Sequence, residues 1–170
     1  GLEDGSFLVT DRNNNRCVVV DREGVVLWSY GAHIEHPHNA DPLPEGHVLI
    51  ASSDNNRVIE VDRDGRTVWS YGDGSTSVLN FPRDADRLAN GNTLITDSRN
   101  HRVIEVTPCG ETVWQFSVDY YASFYEADLL PNGHVLISDQ HHHQVLEVSR
   151  ARCVVWRFRN RRPWCPTLPR

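Results

Sequence analysis

Four tryptophans, Trp28, Trp69, Trp114 and Trp156, stand 41, 45 and 42 residues apart, and each is followed two residues later by Tyr30, Tyr71, Phe116 or Phe158. The segments before them, VVVDREGVVLWSY, VIEVDRDGRTVWSY, VIEVTPCGETVWQF and VLEVSRARCVVWRF, align without gaps. Upstream of these come FLVTDRNNNR, VLIASSDNNR, TLITDSRNHR and VLISDQHHHQ, and the units are joined by HNADPLPEGH, RDADRLANGN and YEADLLPNGH. A period of this length carrying several short strands marks the blades of a propeller, in which each unit buries its faces only against its neighbours. The repeat therefore predicts an all-β propeller with four visible four-stranded blades in a single domain over residues 1–170. The blades run approximately 6–30, 34–71, 80–116 and 123–158.

Each unit reads as strands a to d. Strand a falls at 36–41, 81–86 and 123–128, and strand b at 47–52, 92–97 and 134–139. Strand c falls at 57–61, 102–106 and 144–148, and strand d at 66–71, 111–116 and 152–158. Apolar residues alternate along these segments, as half-buried strands require. Gly24, Gly65 and Gly110 sit where the c–d hairpin calls for a positive φ, whereas the fourth unit has Arg152 there. The first unit begins at strand b. Three ways of completing the ring are open: residues 159–170 supply the missing strand, two chains join into an eight-bladed ring, or the four units belong to a longer assembly. Closure of any kind hides sheet edges. The tail is a poor strand, because its prolines remove ladder donors and it lacks the Ala-Asp pair of the other units.

The formal charge is −6, from 23 acids and 17 bases, and every base is arginine. Residues 1–149 hold all 23 acids and ten arginines, a balance of −13, and residues 150–170 hold seven arginines and no acid. A basic segment on an acidic body points to self-association or an anionic partner, and the acidic body argues against nucleic acid. No apolar run approaches the length of a membrane span. The chain opens at Gly1 without a recognisable leader. A removed leader would make the protein secreted or periplasmic; otherwise it is cytoplasmic. Cys17, Cys109, Cys153 and Cys165 show no C-x-x-C spacing, which argues against a zinc knuckle and leaves disulfides open.

A position repeated in every blade is architecture first. The tryptophans are expected between blades. Asp41, Asp86 and Asp128 are expected to cap backbone N–H groups, and Glu60, Glu105 and Glu147 to pair with Arg57, Arg102 and Gln144. Function is better sought where blades differ. On the channel-lining strand the residue two before the repeated alanine is His38, Arg83 or Tyr125, and the next is Asn39, Asp84 or Glu126. Converging polar groups that vary by blade suit a ligand site, with hydration of the channel wall as the competing reading. His36, Tyr120 and Tyr121 are placed at the same mouth as further ligand-binding candidates. So are His101, His141, His142 and His143, the candidate ligands of a divalent metal such as zinc.

The H-N-A-D-P-L-P-E-G-H-V-L-I-A-S-S-D-N-N-R-V-I-E-V-D-R-D-G-R-T-V-W-S-Y pattern resembles the repeats of arylsulfotransferase-like propellers, and is similar to NHL-type and quinoprotein-type repeats. The first resemblance implies sulfuryl transfer between phenols, with His38 as nucleophile, Arg83 steadying the sulfate and Tyr125 orienting the acceptor. Those enzymes are longer and have six blades. NHL-type propellers mostly bind proteins or RNA, and some related lyases hold zinc with channel histidines. Quinoprotein relatives bind pyrroloquinoline quinone, but no set of cofactor contacts carries over. No G-x-S-x-G, phosphate-loop or H-E-x-x-H motif is present. The expectation is a non-catalytic scaffold for ligand or protein binding and assembly. Its partners would be a protein, a second copy or a small phenolic or sulfated ligand; the alternative is arylsulfotransferase-like transfer.

Overall fold

The computed structural model describes residues 1–159. Fifteen strands form four antiparallel sheets in chain order. The first blade has three strands, β1 (Phe7–Asp11), β2 (Arg16–Val20) and β3 (Val26–Tyr30). The second has four, β4 (Pro37–Pro42), β5 (Val48–Ser52), β6 (Arg57–Val61) and β7 (Thr67–Tyr71). The third holds β8 (Pro82–Arg87), β9 (Thr93–Asp97), β10 (Arg102–Val106) and β11 (Thr112–Ser117). The fourth holds β12 (Phe124–Leu129), β13 (Val135–Asp139), β14 (Gln144–Val148) and β15 (Val154–Arg159). Each strand lies within a residue or two of the segment read for it from the repeat. The proposed closing strand, including Cys165, lies outside the described residues apart from Arg159.

There is no single core. Three apolar clusters occupy the three junctions between consecutive blades. Strand alternation divides each sheet between two junctions. In β5, Val48 and Ile50 pack toward the first blade, while Leu49 and Ala51 pack toward the third. Strand β1 packs on β4, β4 on β8 and β8 on β12; among the described residues, β12 makes no comparable contact with β1. The blades thus form an open arc.

Each junction repeats one polar fastening. The indole N–H of Trp28 donates to the Arg63 carbonyl (3.1 Å), that of Trp69 to the Pro108 carbonyl (2.9 Å) and that of Trp114 to the Arg150 carbonyl (3.1 Å). Each acceptor lies in the c–d turn of the following blade. An arginine of that blade lies over the ring, Arg87 over Trp69 and Arg150 over Trp114. The same arginines pair with Glu60 and Glu105. This corrects the expected pairing of these glutamates within their own blade. Arg57 instead donates to the Asp73 carbonyl and Arg102 binds Asp97, so those arginines staple loops of their own blade. Within their own blades Glu60 also binds His47 and Glu105 also binds Asn92; Glu147 keeps the equivalent partners, His134 and Asn132, and among the described residues has no arginine.

Candidate functional site

The channel strands β4, β8 and β12 each carry a β-bulge against the neighbouring strand. The register slips between Pro37 and Asn39, between Pro82 and Asp84, and between Phe124 and Glu126. His38, Arg83 and Tyr125 are the residues left over. A bulged residue is released from the ladder and re-aimed. That is how one repeat position becomes a set of three converging side chains.

They do converge. The His38 ring meets Tyr125 edge-on (centroids 6.3 Å apart) and Phe81 likewise (5.4 Å). The Arg83 guanidinium lies 4.7 Å from the Tyr125 ring centre and 5.4 Å from that of Phe81. The b–c turns close in around them, as the strand topology predicts. Arg12 donates from Nε to His38 Nε2 (3.1 Å), Arg99 stacks at 4.0 Å over Phe81, and Gln140 accepts from Arg83 (3.2 Å). Burial, Arg83 and Arg12 together hold the His38 imidazole down to about 4, so it is neutral near pH 7. Its Nε2 accepts from Arg12, which puts the proton on Nδ1. Burial, Arg12 and Arg99 also lower the Arg83 pKa against the opposing pull of Tyr125. Arg12, Arg99 and Phe81 were not singled out from sequence. Phe81 has φ +58°, and its N–H is held by Asn56 Oδ1 (2.9 Å), a contact no local pattern announces.

The other sequence candidates are spread more widely. His36 sits at the loop edge, bound to Asp54 (2.5 Å). Asn39 carries a buried side-chain oxygen with no partner among the described residues. The Glu126 N–H donates to Ser138. His101, Tyr121, His141, His142 and Tyr120 run as a ladder of edge-on rings, each centroid 4.8 Å from the next. His101 Nδ1 contacts the Ala122 carbonyl and His142 Nδ1 contacts Asp139. His143 ends its turn at φ +51°. Among the described residues no three histidine, cysteine or acidic side chains come together as a metal-ligand group, so the histidines are not gathered into the zinc cluster outlined above.

At the opposite end of the channel the repeated aspartates line a cavity of about 360 Å³. The expected capping is not found there: among the described residues, Asp41, Asp86 and Asp128 accept no backbone N–H. The caps come instead from the end of strand b. Asp97 accepts from the Asn80 N–H (2.7 Å) and Asp139 from the Ser123 N–H (3.2 Å). Burial, then Asp84 and Asp41, raises Asp86 to about 8, and burial likewise raises Asp41, which is in hydrogen-bonding contact with it. Asp84, further inside, is raised to about 7 by burial despite accepting the Ala127 N–H (3.0 Å). One end of the channel therefore gathers guanidinium groups and the other gathers carboxyls, of which burial raises the pKa of Asp41, Asp84 and Asp86.

The family model described as outer membrane protein assembly factor BamB, a PQQ-type repeat family, matches residues 1–162. No curated protein matches the chain. Among solved structures, a protein of unknown function from Bacteroides caccae superposes with a TM-score of 0.74 at 19% identity, covering 92% of this chain and 58% of that one. Virginiamycin B lyase from Staphylococcus aureus gives 0.72 at 14% identity, covering 95% and 54%. The WD40 propeller domain of Doa1 gives 0.69 at 16%, covering 83% and 46%. At these identities the likeness is one of fold: all are β-propeller-like, and this chain spans about half the length of the structures it matches. No helix is long and apolar enough to cross a membrane.

Proposed function

The chain belongs to the family of outer membrane protein assembly factor BamB, and on that premise we propose that it is a non-catalytic propeller scaffold that works by binding, its open end faces taking up a second copy of itself. One observation carries this reading. Among the described residues, the two surfaces that meet at every internal junction are both uncovered at the ends of the arc. On the first blade Phe7 and Val9 are 42% and 40% exposed, where their counterparts Val48 and Ile50 are 5% and 0%. On the last blade Trp156 and Phe158 are 50% and 54% exposed, and a cavity of about 520 Å³ opens beside Phe158 and Val145. Exposed apolar patches of this kind mark interaction surfaces. Head-to-tail joining of two arcs would place Trp156 of each on Phe7 and Val9 of the other. Eight blades lie within the propeller range.

Light scattering tests it. Wild type is expected at twice the chain mass of 19.4 kDa, and Trp156→Glu at the single-chain mass. A monomeric wild type at tens of micromolar would overturn self-association.

Sulfuryl transfer keeps one point in its favour, the meeting of His38, Arg83 and Tyr125 at one mouth. Against it, the His38 Nε2 that would attack is already bound by Arg12. An aryl sulfate donor with a phenol acceptor decides the matter: absence of His38-dependent turnover removes this reading.

A further inference from the structure

The glutamates of β6, β10 and β14 give their two carboxylate oxygens separate tasks. Oε1 stays within its own blade: that of Glu60 contacts His47, and that of Glu105 accepts from Asn90 and Asn92. Oε2 accepts an arginine of the next blade, Arg87 for Glu60 and Arg150 for Glu105. In the last blade Glu147 uses Oε1 for Asn132 and His134, and its Oε2 has no partner among the described residues. Its cross-strand neighbour Trp156 is 50% exposed. The open end of the fourth blade is thus an arginine socket with its carboxylate already oriented and its ring uncovered.

The first blade carries the matching half. At every internal junction the tryptophan N–H donates to one repeat position of the next blade, occupied by Arg63, Pro108 and Arg150. The first blade has Arg22 there. Arg22 is exposed on the same open face as Phe7, with its guanidinium 5.9 Å from that ring centre. It has no carboxylate partner among the described residues. An arginine at this position pairs where the preceding blade offers a glutamate. Arg150 pairs with Glu105. Arg63 follows a blade with Val19 in the glutamate's place, and it makes no ion pair among the described residues.

We infer that two copies meet in the register of the internal junctions, Arg22 of one copy lying over Trp156 and binding Glu147 Oε2 of the other. This rests on the self-association proposed above and adds its direction and its register. The two faces are unlike, so the contact is heterologous, and a closed ring of two copies contains it twice. A carboxylate held on one oxygen and an arginine stacked on an indole make an oriented pair, which fixes register and partner.

Sedimentation of the full chain over a concentration series tests it. Arg22→Glu and Glu147→Arg are each expected to weaken self-association about tenfold or more, because each sets like charges opposite one another. An equimolar mixture of the two variants is expected to associate as wild type does, since it contains one native and one reversed pair. Mixing would not rescue a folding defect. Wild-type association unchanged in both variants would overturn this joint and leave self-association standing. So would two weakened variants whose mixture does not recover. Loss in one variant alone would overturn it in favour of a face-to-face contact between like ends. A monomeric wild type would overturn both readings.

Discussion

The third and fourth blades follow the same repeat pattern and differ in their surroundings. Trp114 is 7% exposed, with its N–H bonded and Arg150 over its ring; Trp156, at the same repeat position, is 50% exposed. Glu105 is buried against Arg150, whereas Glu147 sits half-exposed against His134. The residue type dictates what a position offers, and the next blade decides whether the offer is taken up. A blade is therefore not a unit of stability; a junction is.

The largest effect follows from the tryptophans. In dilute, dissociated chain, Trp114→Ala is expected to cost about 3–5 kcal/mol of unfolding free energy, the range for emptying a buried aromatic site. Trp156→Ala is expected to cost less than about 1 kcal/mol, as for other exposed positions. Urea unfolding of the two variants checks this, and equal losses would break the contrast. The glutamates come next. Glu105→Ala strips the charged acceptor from Arg150, Asn92 and Asn90 and is expected to cost about 2 kcal/mol. Glu147→Ala, on the open face, is expected to cost clearly less. A larger loss at Glu147 would mean that the last junction is filled in solution.

The same contrast explains what could be read from the sequence. The repeat delivered the strands, because period-2 burial and hairpin turns are local and recur in every unit. It also flagged His38, Arg83 and Tyr125, since departure from a repeat is visible in the repeat. It did not reveal that these three are bulge residues, because a register slip depends on the partner strand. Nor did it reveal Arg12 and Arg99, whose turns look ordinary until the fold brings Arg12 onto His38 of the next blade and Arg99 over Phe81 of its own. The repeated aspartates were misread for a related reason. Their role comes from facing one another across the channel, a contact between blades that the pattern within one blade cannot contain. The glutamates were misassigned in the same way, to their own hairpin instead of the next blade.

The smallest effect lies in the c–d turns, where the comparison runs in the opposite direction. Gly110 closes the third hairpin at φ +86°, a conformation glycine adopts freely. In the fourth blade Arg152 occupies the equivalent place at φ +66° and donates its N–H to the Ser149 carbonyl (2.8 Å), as Gly110 does to Thr107 (2.9 Å). The hairpin thus keeps its geometry and imposes it on a residue with a Cβ, at about 1–2 kcal/mol before the greater unfolded-state freedom of glycine is set against it. Arg152→Gly is expected to stabilise the chain by about 0.5–1 kcal/mol, read as a rise in melting temperature of a few degrees or less. The neighbouring Arg150 must be left intact, since its carbonyl and side chain serve Trp114 and Glu105. A neutral or negative result would mean that the arginine side chain makes a compensating contact on the open face, and the fourth blade would then be less idle than its exposed tryptophan implies.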